Sequence, residues 1–269
     1  MKLSLCSIGD REAPIETVIV RASRLGYEGV ELHVPHIERF LGEGSDMGAL
    51  KAMLDVHRLK ASVISAYAAF LGSDGTYART ISHFEGHILP WAEALQGSRV
   101  RIFLDWIGSG KAARPEWLRI VQGLREVARL AASRGVDLLL ETHQDQLTDT
   151  TDSTLRLIEE TGMENVKINL DMYNLFQVGE NPLYALERLF AHTSNVHLKN
   201  GTVQNGQAVY GKRLNEGDMD FAPFLKELQN RGYDEYMGVE WFGDGFWEAA
   251  EHELAWVKRT IGMGGKVRE

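Results

Sequence analysis

The stretch that most constrains this chain is Val136–His143, VDLLLETH, an apolar run that ends abruptly in Glu-Thr-His. A strand with one wet face alternates apolar and polar residues, whereas a run without alternation is a strand buried on both faces, the habit of parallel sheets covered by helices. Its last residues emerge at an open end. Three later runs finish in the same way: Val166–Asp171 (VKINLD), Asn195–His197 (NVH) and Tyr236–Glu240 (YMGVE). Successive strands thus carry Glu141, Asp171, His197 and Glu240 at their C-terminal ends. Three carboxylates and one imidazole form a ligand set suited to Mg²⁺, Mn²⁺, Co²⁺ or Zn²⁺.

The rest of the chain reads as a strand followed by a helix, repeated. Strands are predicted at Lys2–Ile8, Gly29–His33, Ala61–Tyr67 and Val100–Asp105, then at the opening stretch, Val166–Asp171, Asn195–Leu198 and Tyr236–Trp241. Between them fall helical patterns at Pro14–Leu25, Met47–His57, Thr76–Leu95, Pro115–Ser133, Asp152–Glu160, Pro182–Phe190, Phe221–Arg231 and Phe246–Ile261. Pro14 sits in a first turn, where its missing N–H costs nothing, and Pro90 should kink or split its helix. Polar loops are expected after the second strand, through Gly42 and Gly44, and after the seventh, through Gly201, Gly206, Gly211 and Gly217. Eight strand-helix pairs without a composition break predict a single α/β domain over residues 1–269, a (β/α)₈ TIM barrel, with an open doubly wound sheet as runner-up. Only a closed sheet easily brings the ends of strands five to eight round one point.

A formal net charge of −9 argues against nucleic acid as a partner, since phosphate-backbone binders carry a basic face. No run approaches the ~18 apolar residues of a membrane span, and the N-terminus is a poor signal peptide. One cysteine, Cys6, lies inside the apolar first strand and reads as a core residue. The default expectation is a cytoplasmic protein. No phosphate-binding glycine loop and no GxSxG elbow is present.

Active sites of barrels lie at the C-terminal mouth, so other residues delivered there are candidates. In the first half these are Glu31, His33, His36, Tyr67 and Arg101, with Arg101 expected to point inward. His143 stands two residues beyond Glu141 on an extended segment, and Lys199 has the same relation to His197. Either could carry a proton or clamp an oxyanion. Trp106, Trp241 and Phe242 are candidate aromatic walls, while His83, His87 and His252 fall on helices and read as surface or packing residues.

At these residues the chain resembles the xylose-isomerase-like superfamily of sugar isomerases and epimerases, which also includes inosose-processing enzymes and endonuclease IV. The likeness runs from YEGVEL at Tyr27–Leu32 to VEWF at Val239–Phe242. It implies that Glu141, Asp171, His197 and Glu240 hold a divalent metal, and that Arg213, in a segment similar to the family's Arg-x-x-x-Gly loop, touches substrate. Within the superfamily it is most similar to bacterial 3-dehydroshikimate dehydratases, through LLETH and LTDT in Leu139–Thr150, KINLD at Lys167–Asp171, HLKN at His197–Asn200 and VEWFG at Val239–Gly243. That likeness places His143, Arg101, Tyr67 and Lys199 in the substrate pocket. Those dehydratases carry a His three residues after the sixth-strand Asp, where this chain has Asn174. The leading expectation is therefore a metal-dependent isomerase or epimerase of a sugar or cyclitol, acting by proton abstraction next to a carbonyl with a metal-stabilised enediolate. Glu141, Glu240, His143 and Lys199 are the catalytic candidates, and Tyr67, Arg101, His36, Asn174 and Arg213 the substrate contacts. Dehydration of 3-dehydroshikimate to protocatechuate is the alternative; a nuclease of the endonuclease IV type and a non-catalytic sugar sensor rank behind. The family also suggests a homodimer or homotetramer.

Overall fold

The computed structural model describes residues 1–97, 99–205 and 207–262. Eight parallel strands close into a barrel: β1 (Lys2–Cys6), β2 (Gly29–His33), β3 (Lys60–Tyr67), β4 (Arg99–Phe103), β5 (Asp137–Glu141), β6 (Val166–Asp171), β7 (Thr193–Leu198) and β10 (Tyr236–Val239). β10 pairs with both β7 and β1, which closes the ring. Helices α1 (Ile15–Leu25), α3 (Met47–Val56), α6 (Arg114–Ala132), α7 (Thr151–Thr161), α9 (Pro182–Leu189), α10 (Phe221–Asn230) and α11 (Phe246–Thr260) cover the outside. No helix among the described residues is long and apolar enough to cross a membrane.

Side-chain alternation sorts each strand into two faces. On β5, β6 and β7 the residues Leu138, Leu140, Ile168, Leu170, Val196 and Leu198 are buried in the apolar core. Each such side chain contributes about 1.5–3 kcal/mol relative to exposure. Their neighbours Glu141, Asn169, Asp171, Asn195 and His197 belong to the other face and contact one another across the barrel. Register aligns them, pairing Asp171 with His197 and His197 with Gly238. At Gly238 a Cβ would lie 2.9 Å from Cys6 Sγ and 3.3 Å from His197 Cδ2, so only glycine leaves room for the imidazole.

Three local expectations are corrected and a fourth is met. The loop expected after β2 is largely helix α2 (Val34–Gly42), with Pro35 in its first turn and Val34, Ile37 and Phe40 buried. The stretch Thr76–Leu95 is split, as Pro90 predicts: α4 (Asp74–His83) passes through a π-helical turn, Phe84–Ile88, into α5 (Leu89–Ala94), which carries Pro90 in its first turn. A short helix, α8 (Met172–Phe176), follows β6 directly. The expected polar loop after β7 contains an antiparallel hairpin, β8 (Asn200–Gln204) and β9 (Gln207–Lys212), separate from the barrel sheet. Gly206 and the last seven positions of the expected 1–269 domain lie outside the described residues.

Candidate active site and metal centre

β5, β6, β7 and the residue after β10 deliver Glu141, Asp171, His197 and Glu240 to one point, with one donor atom from each lying within 4.8 Å of all the others. All four are buried. His197 Nδ1 is 3.4 Å from Glu141 Oε1, 3.7 Å from Glu240 Oε2 and 3.9 Å from Asp171 Oδ2. Donors about 2.1 Å from a shared cation are themselves roughly 3–3.5 Å apart. The cluster is therefore close to ligating geometry.

Each ligand is held from behind. Asp171 is the N-cap of α8: its Oδ1 accepts the Asn174 N–H at 3.1 Å, which directs Oδ2 to the cluster. His197 Nε2 donates to Glu31 Oε2 at 2.9 Å, so Nδ1, on the cluster side, is the nitrogen that would ligate a cation in place of its proton. Glu31 also accepts from Ser65 Oγ and faces Arg101 Nε at 3.7 Å, while Arg101 Nη1 contacts Glu141 Oε2 at 3.1 Å. Lys199 Nζ contacts Asp171 Oδ2 at 2.7 Å and Glu240 Oε2 at 2.9 Å.

The electrostatics call for a further cation. Four buried carboxylates, Glu31, Glu141, Asp171 and Glu240, face Arg101, Lys199 and a His197 that their charges hold protonated against burial, an excess of one negative charge that becomes two once His197 ligates as the neutral ring. Burial, with Glu141 and Glu240 nearby, pushes Asp171 up to about 6 despite Lys199. Burial would likewise raise Glu141, yet Arg101, His197 and Lys199 hold it well below the usual carboxylate range. Lys199 is kept charged against burial by Asp171 and Glu240. His197 Nδ1 and Asp171 Oδ2 are buried without a hydrogen bond, Oδ2 being ion-paired with Lys199 but not aligned to accept from it. Orphaned donors of this kind at the centre of a carboxylate cluster fit a divalent cation.

Above the cluster opens a cavity of about 340 Å³ lined by Glu141, Glu240, Lys199, Arg101, His143 and Tyr67, with Phe103, Trp106, Tyr210 and Phe242 as aromatic walls and Ile8 and Arg11 at one side. His143 Nδ1 donates to the Gln144 carbonyl, which leaves Nε2 as the basic nitrogen, and burial pulls the ring's pKa down. Its ring meets Phe103 and Trp106 edge-on at 4.7 and 5.4 Å. Tyr67 bonds His33 Nε2 at 3.0 Å, and burial with the nearby Arg101 charge takes His33 down to about 3.

Three expected substrate contacts are placed elsewhere. His36 lies behind the wall, bonding Ser7 Oγ and donating to the Asp10 carbonyl, both at 3.1 Å, because α2 turns it toward the chain leaving β1. Asn174 is sealed under the cluster, donating to the Thr142 carbonyl at 3.0 Å and accepting from Gln177 at 3.1 Å. Arg213 lies beside α11, donating to the Glu248 carbonyl at 3.5 Å. Four lining residues, Ile8, Arg11, Phe103 and Tyr210, escaped the sequence reading, and two of them are polar. Tyr210 comes from the unforeseen hairpin; its hydroxyl accepts from Gln144 Nε2 at 3.0 Å and its ring lies over Lys199. Arg11 follows the 3₁₀ turn Ser7–Asp10, and no periodic signal marked it.

Residues 19–260 match a family model described as xylose isomerase-like TIM barrel. The chain belongs to that family. Among curated relatives of this xylose isomerase-like barrel is a 3-dehydroshikimate dehydratase of Bacillus anthracis, 30% identical over 90% of this chain and 91% of its own. An inosose dehydratase of Yersinia enterocolitica is 26% identical over 81% of this chain and 83% of its own. Among solved structures, a probable 3-DHS dehydratase of Bacillus anthracis superposes with a TM-score of 0.86 at 26% identity, covering 95% of this chain and 98% of that one. The IolI protein, solved with a zinc atom, shares the fold at a TM-score of 0.84 and 16% identity, covering 99% and 100% of the two chains.

Proposed function

We propose that this barrel is a divalent-metal-dependent dehydratase acting on a polyhydroxylated cyclic ketone, with 3-dehydroshikimate as the first substrate to test. The observation that carries the reading is the sharing of one cavity by a neutral base, His143, a charged lysine, Lys199, and the Glu141-Asp171-His197-Glu240 cluster. Likeness to the two dehydratases over most of their length favours this over the epimerase expected from sequence. Asn174 is no obstacle, because its side chain is spent on Thr142 and Gln177 behind the cluster, outside the cavity wall.

When bound by the four ligands, a divalent cation supplies Lewis-acid polarisation of a substrate oxygen. His143 Nε2 takes the proton α to the ketone, and Lys199 donates hydrogen bonds to the oxygen on which charge develops. The carbon–oxygen bond of the β-hydroxyl then breaks and the hydroxyl leaves as water, protonated by the acid formed in the first step. Tautomerisation of the remaining ring gives 3,4-dihydroxybenzoate, so the products are that catechol acid and one water. The aromatic walls suit a ring that flattens as it reacts.

The epimerase reading keeps one supporting observation: Glu141 and Glu240 both line the cavity and could exchange a proton at a single carbon. One experiment separates the two. Protein loaded with Mn²⁺ is mixed with 3-dehydroshikimate and the ultraviolet band of protocatechuate is followed. Formation of product that a chelator abolishes, and that Glu141→Gln and Glu240→Gln lose, is the expected result. Absence of product from metal-replete protein sinks the dehydratase reading, and deuterium uptake by a ketose or inosose in D₂O would then establish the epimerase.

A further inference from the structure

The cations of the cavity are not equivalent. Arg101 is committed to Glu141 and Glu31, and Lys199 to Asp171 and Glu240. With a divalent cation in the cluster, those charges balance. Arg11 is then surplus: it lines the cavity, and among the described residues its guanidinium has no hydrogen-bond or ion-pair partner.

The chain that presents Arg11 is fastened on both sides, which an idle surface arginine does not need. Arg39 on α2 donates to three successive carbonyls, Arg11 at 2.9 Å, Glu12 at 3.0 Å and Ala13 at 3.4 Å. His36 holds the Asp10 carbonyl at 3.1 Å, and Trp247 on α11 donates to Asp10 Oδ2 at 2.9 Å. At Gly9 a Cβ would fall 2.2 Å from the Phe246 ring, so the backbone packs directly on α11. Fastening the backbone that carries a charged side chain before the ligand arrives lowers part of the ordering cost of binding.

We infer that Arg11 is the specificity-determining residue that binds an anionic, carboxylate-bearing end of the substrate, while the reacting carbons face Glu141 and Lys199. This rests on the dehydratase reading and narrows it to cyclic keto acids, as against neutral sugars or inososes. A guanidinium binds a carboxylate with two parallel N–H donors, a geometry a lysine ammonium cannot copy. The contact is made equally in ground and transition states, so its loss appears in KM rather than kcat.

The test uses metal-loaded full-length protein with two readouts. With 3-dehydroshikimate, Arg11→Met should raise KM about tenfold or more while kcat changes less than about threefold, and Arg11→Lys should recover only part of the loss. Independently of turnover, calorimetry compares 3,4-dihydroxybenzoate with its methyl ester. Wild type should prefer the acid by about tenfold or more, and Arg11→Met should erase that preference while leaving the ester's affinity unchanged. No acid preference in wild type, or a preference that survives in Arg11→Met, overturns the inference. If 3-dehydroshikimate is not turned over but the acid-to-ester ratio still depends on Arg11, the dehydratase reading fails and the anion site stands.

Discussion

Glu31→Gln is the substitution that best tests how the cluster is organised, because Glu31 does not itself line the cavity and acts only through others. Its carboxylate, 1% exposed, accepts the His197 Nε2–H at 2.9 Å and steadies Arg101 at 3.7 Å. A hydrogen bond to a charged acceptor contributes roughly 1.5–3 kcal/mol against about 1 kcal/mol for a neutral one. Gln can still accept from Nε2, so the bond weakens rather than disappears. The variant also removes one negative charge from a site that needs excess negative charge to hold a dication, and it frees Arg101 to draw Glu141 away from the cluster. The three effects share a sign, and the affinity for Zn²⁺ or Mn²⁺ should fall about 10- to 100-fold, the range found when such outer carboxylates are lost. Titration calorimetry on the folded variant measures this directly. Glu31→Asp separates the causes: it keeps the charge but shortens the arm, so full recovery means charge alone matters, and partial recovery means that orientation of His197 does. A folded Glu31→Gln protein that binds metal within about twofold of wild type would refute the reasoning.

Three further outcomes are expected. Burial lowers the His143 pKa below its ordinary 6.5, so the basic form persists through neutrality and activity is lost only as pH falls through that lowered value; the acid limb of kcat/KM should lie below 6.5, and His143→Asn should lower kcat by about 10²–10⁴. Burial pushes Glu253 on α11 up to about 7, and a raised carboxyl contributes stability that is lost as pH rises toward that value. Glu253→Gln keeps an acceptor for the Leu214 N–H and should be more stable than wild type by roughly 2 kcal/mol at pH about 8.5, with the gap in thermal midpoint closing toward about pH 5. Gly123 on α6 faces Phe70, where a Cβ would lie 2.2 Å from Cδ1. Gly123→Ala should therefore cost about 1–3 kcal/mol by overpacking, exceeding the ~1 kcal/mol gain in helix propensity; a raised denaturation midpoint would refute this.

The barrel was legible because buried parallel strands are long apolar runs, and a polar residue ending such a run must have a purpose. Glu141, Asp171, His197 and Glu240 were visible for that reason, and the structure brings them within 4.8 Å. What surrounds them was harder to read. The hairpin β8–β9 is half-exposed and rich in Gln, Asn and Gly, so Tyr210 stood among residues with the look of a loop. α2 carried its apolar spacing in Val34, Ile37 and Phe40, but Pro35 and the glycines after it resembled punctuation of a loop; Pro35 instead starts the helix. His36 and Arg213 were placed at the mouth by position along the chain. Only tertiary packing decides that one faces Ser7 and the other Glu248. Arg11 lies in an irregular segment whose shape depends on Arg39 and Trp247, residues far away in sequence.

The hairpin β8–β9 forms its own two-stranded sheet, outside the ladder that closes the barrel. Its ladder is therefore separate from the one that aligns the metal ligands, and side chains link the two: Tyr210 on β9 bonds Gln177, which bonds Asn174 behind Asp171. The register that aligns Asp171 with His197 lies wholly in the barrel ladder, so hairpin positions other than Tyr210 can vary without touching it. Divergence in this family has a natural seam here: ligand choice can be rewritten on the hairpin while bond-making machinery is inherited intact. For the protein engineer the same seam marks where a segment from a relative can be grafted with least risk to the metal centre.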